Sequence, residues 1–162
     1  MSGIIAGRTA SQMPGLDIAE QRSWQNFLEA GLRLHSILNR RLTEKHGLSL
    51  SDVRILEVLC NSENGSTRMG DLAEQVLALP SRVTRQIRRL ESIGLARREA
   101  SPDDGRGVLA SVTDAGRTVF DEARTTYAHA VRDLYLAPLT RPQMSGMGEH
   151  SRRISAALKP KS

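Results

Sequence analysis

With 162 residues, 39% hydrophobic and 25% charged side chains, the chain has the composition of an ordinary soluble domain able to bury a core. Aromatic residues make up only 3%, which argues against single-strand nucleic-acid binding on stacked rings. The lone cysteine, Cys60, excludes an internal disulfide and suits a reducing compartment. The formal net charge is +5, and no stretch reads as a membrane span or a secretory signal, so a cytoplasmic protein without membrane contact is expected.

Residues 1–15 are small and polar, end in Pro14-Gly15 and read as a flexible N-terminal arm. From Asp17 a helical pattern begins, with Trp24, Phe27, Leu28, Gly31, Leu32, Leu34, Leu38 and Leu42 recurring at three- and four-residue steps. His46-Gly47 ends it, glycine being suited to a left-handed cap. Ser49 and Asp52 form the capping-box pattern of a second helix that continues through Val53, Ile55, Leu56, Val58 and Leu59. Asn61 to Ser66 is polar and turn-like. Thr67-Arg68-Met69 then leads to a third helix with Leu72, Ala73, Val76 and Leu77 as its apolar side.

A fourth helix is expected from Pro80, a residue favoured in a first turn, to a stop at Gly94. Val83, Ile87 and Leu90 form its buried stripe; Ser81, Arg85, Arg88 and Ser92 lie opposite, flanked by Arg82 and Arg89. Leu95–Glu99 and Val108–Val112 alternate as two strands, joined by residues 100–107, a loop rich in turn chemistry. Thr113 is placed to cap a fifth helix through Val119, Phe120, Ala123, Tyr127, Val131 and Leu134 to Pro138. Thr140 with Gln143 suits the start of a sixth, apolar at Met144, Met147, Ile154 and Leu158. Four helices, a hairpin and two more helices describe a mainly α protein with a small β-hairpin wing. A tight helix pair whose second member runs straight into a hairpin is a winged helix-turn-helix.

Charge singles out one part of this plan. Residues 80–98 hold six arginines (Arg82, Arg85, Arg88, Arg89, Arg97, Arg98) against one acid, Glu91, a local +5 that equals the net charge of the whole chain. A positive charge confined to one helix and strand is an electrostatic footprint for a polyanion, nucleic acid first. Taken alone, such a helix is more often a solvated surface, and residues 103–107 an ordinary turn. It is the capped helix pair, basic helix and arginine-tipped hairpin in this order that favour DNA.

Over roughly residues 20–158 the sequence resembles the MarR family of bacterial transcriptional regulators. Met69 to Arg98 looks like the family's paired helices, with an apolar–Thr–Arg step at Val83-Thr84-Arg85 and a helix exit from Leu90-Glu91 to Gly94-Leu95. The family's wing signature, Asp-x-Arg before a strand ending in an apolar residue and Thr with a later Gly, appears as Asp104-Gly105-Arg106, Val112-Thr113 and Gly116. Three departures stand out. Gly70 replaces the usual hydroxyl residue, Val112 the usual Leu, and the last helix contains Gly146 and Gly148, each costing about 1 kcal/mol against Ala and leaving its length open.

The resemblance implies a single domain over residues 16–160. Within it, 49–113 would be the winged-helix DNA-binding lobe, and 16–46 and 114–158 the interleaved N- and C-terminal dimerisation helices of a homodimer. The expected function is a sequence-specific double-stranded DNA-binding transcriptional regulator, a ligand-responsive repressor on a near-palindromic operator. The major groove admits one helix and its base edges are distinguishable. Arg82 and Arg85 are candidates for base or phosphate contacts, Ser81 and Thr84 for phosphates or bases, Arg88 for the presented face and Arg89 for the DNA backbone. Arg106 at the wing tip suits a narrow minor groove, with Asp104, by resemblance, orienting it.

Other features are weighed against simpler roles. By family analogy a small aromatic or anionic effector would bind between the dimer helices and the DNA lobe, with Trp24, Phe27, His35 and Arg54 as candidate lining. Trp24 and Phe27 also fall on the apolar stripe, where core packing is their ordinary role. Cys60 is expected to be a buried small hydrophobe, and His35, His46, His129 and His150 are too scattered for a local metal site. No Ser-His-Asp order, phosphate-cradling glycine loop or carboxylate pair appears, so neither an enzyme nor a cofactor is expected.

Overall fold

The computed structural model describes residues 13–102 and 107–159. Among them are six α-helices and three short strands: α1 (Ile18–His46), α2 (Leu50–Asn61), β1 (Ser66–Arg68), α3 (Met69–Gln75), α4 (Pro80–Ser92), β2 (Ala96–Ala100), β3 (Val108–Val112), α5 (Asp114–Val131) and α6 (Arg141–Ala157). The protein is mainly helical with a small wing sheet, as the periodicities predict. The chain divides inside α1 into two compact units, residues 1–37 and 38–162.

In the first unit, Asp17 and Glu20 start α1 by a reciprocal cap, each backbone N–H donating 2.9 Å to the other's carboxylate. The apolar stripe behind it does not pack into a core. Trp24 is 45% and Phe27 51% exposed, and Leu28 and Leu32 are exposed with them. The two rings lie 6.1 Å apart, tilted by 37°. Trp24 and Phe27 are thus not enclosed by the first unit.

In the second unit the core forms around α2 and α4. Leu42, Leu48, Leu56, Leu59, Leu72, Val83, Ile87, Leu90 and Phe120 are among its buried side chains. The capping box at Ser49 and Asp52 is present as the spacing predicts. α4 begins at Pro80 and ends in a glycine cap: Gly94 takes φ +75°, and the N–H groups of Gly94 and Leu95 donate to the carbonyls of Glu91 and Leu90. That cap takes up Leu95, so β2 starts one residue later than the alternation suggests. Thr113 then ties helix end to helix start. Its hydroxyl donates to Gly94 O at 2.7 Å and accepts from Gly116 N at 3.0 Å. Only glycine fits at position 116, because a Cβ there would lie 2.1 Å from Leu95 O.

Three elements differ from expectation. The hairpin gains a third strand, β1, which pairs antiparallel with β3 through Ser66↔Ser111, Thr67↔Ala110 and Arg68↔Leu109, giving the order β1-β3-β2. α3 stops at Gln75, so Leu77 does not join its apolar side; it is 92% exposed, with φ 55°. α5 stops at Val131 and passes into a π-helical segment, Arg132–Leu136, rather than running on to Pro138. α6 starts from the Thr140–Gln143 capping box and continues through Gly146 and Gly148 to Ala157. None of its residues is buried, and Met147, Ile154 and Leu158 are exposed.

Candidate nucleic-acid interface

α4 presents two opposite surfaces because its apolar residues keep the helical period. Val83, Ile87 and Leu90 are all at 0% exposure, which fixes the rotation of the helix. Ser81, Arg82, Arg85, Arg88 and Arg89 are consequently exposed, and Thr84 is half-buried.

The six arginines of this region fall into two sets. Arg89 reaches back into the protein. One terminal nitrogen donates to Asp52 Oδ2 at 2.7 Å and the other to the carbonyl of Gly47 at 2.8 Å. Asp52 is 1% exposed, and the same oxygen accepts from Ser49 N at 2.8 Å. Arg98 grips Glu91 through Nε at 3.0 Å and Nη2 at 2.7 Å, with its backbone N–H on the other carboxylate oxygen. This bonding holds the Glu91 carboxyl below its ordinary value, against the opposing effect of burial and with help from the charges of Arg98 and Arg88. Arg97 pairs with Glu99 at 2.7 Å. Removing these three from six leaves Arg82, Arg85 and Arg88, which carry no ion pair among the described residues. Of these six, fewer are unpaired among the described residues than the charge count alone implies, and all three of those lie on α4.

Thr84 donates its hydroxyl hydrogen to Pro80 O at 2.9 Å, so as it stands it has only acceptor capacity left for a ligand. Ser81 is exposed ahead of it. Asp104 and Arg106 lie outside the described residues; the loop that holds them is closed at its base by Ser101 N donating to Gly107 O at 2.8 Å. Arg68, Thr84, Arg98 and Gly107 border a shallow open hollow beside α4.

The effector candidates fall in both units. Trp24, Phe27 and His35 are exposed in the first unit. Arg54 is exposed on α2 in the second and pairs with Glu57 one turn away. Cys60 is half-buried against the core rather than fully enclosed, and burial raises its thiol above the ordinary value, Arg117 opposing. His46 Nε2 and Thr126 Oγ1 are 2.8 Å apart, joining the end of α1 to α5. Among the described residues there is no group of His, Cys, Asp and Glu placed to hold a metal, and no helix long and apolar enough to cross a membrane.

The fold and the sequence together match known proteins. Sco3205 of Streptomyces coelicolor, a MarR family transcriptional regulator solved in complex with DNA, superposes with a TM-score of 0.88. It is 31% identical, and the match covers 93% of this chain and 94% of that one. The chain belongs to the MarR family. The sequence model of that family matches residues 48–108, which run from just before α2 to the first residue of β3. AbsC, another MarR family regulator of Streptomyces coelicolor, is 29% identical with a TM-score of 0.83, covering 90% of this chain and 98% of that one. Among curated relatives, the transcriptional repressor MdtR of Bacillus subtilis is 32% identical over 101 residues, 62% of this chain and 63% of that one. The regulator YkoM of the same organism is 31% identical over 94 residues, 58% of each. The chain thus spans less than two thirds of these curated relatives.

One feature of the site escaped the sequence reading. The Arg89–Asp52 pair joins residues 37 positions apart, and a capping aspartate carries no local sign of which arginine will meet it.

Proposed function

We propose that this MarR family protein is a sequence-specific regulator that binds double-stranded DNA as a homodimer, and that it is a repressor released by a small ligand. The observation that carries the reading is the set of three exposed arginines, Arg82, Arg85 and Arg88, unpaired among the described residues, on a helix whose other face is locked into the core. α4 would lie in the major groove, with Arg82 and Arg85 on base edges or phosphates and Ser81 and Arg88 beside them. Arg89, already held by Asp52, would act as a fixed charge facing the DNA backbone. Asp104 and Arg106 are assigned to the minor groove by the wing signature alone.

The exposed apolar side chains on α1 (Trp24, Phe27, Leu28, Leu32) and on or just after α6 (Met147, Ile154, Leu158) support the homodimer, since apolar area of this kind marks an interaction surface. A two-fold dimer would require half-sites about one helical turn apart. Release by a ligand would follow if the ligand favours a dimer with mis-spaced α4 helices, because only differential affinity shifts such a balance. Selection from a pool of random duplexes tests DNA binding, symmetry and spacing together. An inverted repeat with centres about 10 base pairs apart, or a multiple of that, is expected; failure to enrich any duplex would refute the reading.

A further inference from the structure

The turn between α3 and α4 carries two leucines that folding does not call for. Leu77 is 92% exposed and holds φ at 55°, the left-handed region in which a Cβ crowds the following carbonyl. Leu79 is 72% exposed at the N-cap of α4, where it makes no side-chain cap hydrogen bond. A hydroxyl or carboxylate there would accept from the first N–H groups of the helix. Leu77 therefore strains the turn, Leu79 leaves the helix start uncapped, and both hold an isobutyl group in water.

Their position supplies a use that their local energetics do not. Residues at the start of a reading helix reach base edges. Leu79 shares a helix face with Arg82, three residues on, and stands two residues before Ser81. In the major groove the apolar feature of a base edge is the C5-methyl group of thymine. Resting on the reading of α4 as a major-groove helix, we propose that Leu79, with Leu77 in the same turn, is a specificity-determining contact for thymine methyl groups beside the bases that Arg82 and Arg85 read. The arginines would distinguish polar edges, and the leucines would select thymine where polar readout is weak.

Uracil pairs as thymine does and lacks only the methyl, so it isolates this contact. The full chain is titrated with the duplex recovered by random selection, and with copies in which each thymine in turn is replaced by uracil. Loss of one buried methyl should weaken wild-type binding about fourfold at one or two positions in each half-site. Leu79→Ser should lose most of the discrimination between thymine and uracil copies, while melting about 2–4 °C higher because the helix gains a cap. Leu77→Gly, which suits the left-handed backbone, is the second variant and should reduce the discrimination without lowering the melting temperature. Equal wild-type affinity for every uracil copy, or undiminished discrimination in Leu79→Ser, overturns the inference while leaving DNA binding intact. If no duplex is recovered at all, the reading of α4 fails, and this inference with it.

Discussion

Arg89 and Arg85 lie one turn apart on the same helix and are both exposed, yet they face different tasks. Arg89 is bonded to a buried carboxylate and a backbone carbonyl, whereas Arg85 has no ion-pair partner among the described residues. Charge count treats them alike. The difference is set by what lies beneath. The N-terminus of α2 places Asp52 against Arg89, and no carboxylate among the described residues meets Arg85. Of the six arginines between residues 82 and 98, Arg89 and Arg98 link separate elements, Arg97 pairs only with Glu99 on its own strand, and three carry no ion pair among the described residues.

Substitution should separate the two sets. Arg89→Leu leaves the Asp52 carboxylate with Ser49 N but without its cation. Chemical denaturation should show a loss of about 2 kcal/mol, below the full cost of breaking a buried pair because Arg89 is itself half in water. A loss under about 0.5 kcal/mol, the range of ordinary surface changes, would erase the distinction. Arg85→Ala should do the reverse: stability stays within about 0.5 kcal/mol, and binding to the selected duplex weakens by about 1–3 kcal/mol with relaxed base preference. Unchanged affinity and selectivity in a gel-shift titration would remove Arg85 from the reading set.

The smallest effect concerns Glu91, which holds Arg98 and so joins α4 to β2. Its folded carboxyl titrates below the ordinary 4.5, so the pair adds stability above that pH, and the contribution is lost as pH falls through the lower folded value. Thermal melting followed through this acid range should show a steeper decline in the wild type than in Glu91→Gln. Parallel profiles would mean that the pair is structurally idle.

Legibility in the sequence followed distance along the chain. The capping boxes at Ser49 and Thr140, the Pro80 start, the Gly94 stop and the apolar stripe of α4 each depend on residues within a turn or two, and each was readable. β1 was not, because three polar residues acquire strand geometry only by pairing with β3, more than forty residues later. The partners of Arg89 are likewise remote. Leu77 was misread because its spacing continues the apolar period of α3, although the helix has already ended at Gln75. The stripe on α1 was visible as apolar, but nothing local distinguishes a face that packs within its own chain from one left exposed.

The division of the arginines is tested most directly by titrating the full chain against the selected duplex in steps of salt, for the wild type and for the triple variant Arg82→Ala, Arg85→Ala, Arg88→Ala. Each phosphate neutralised contributes a slope of about −0.9 in the logarithm of affinity against the logarithm of salt. The wild type should bind with a steep negative slope. The triple variant should remain folded, lose most of its affinity and give a slope shallower by about 1 for each arginine that meets a phosphate. A triple variant with wild-type affinity and slope, or a wild type that ignores duplex DNA at low salt, would contradict the account.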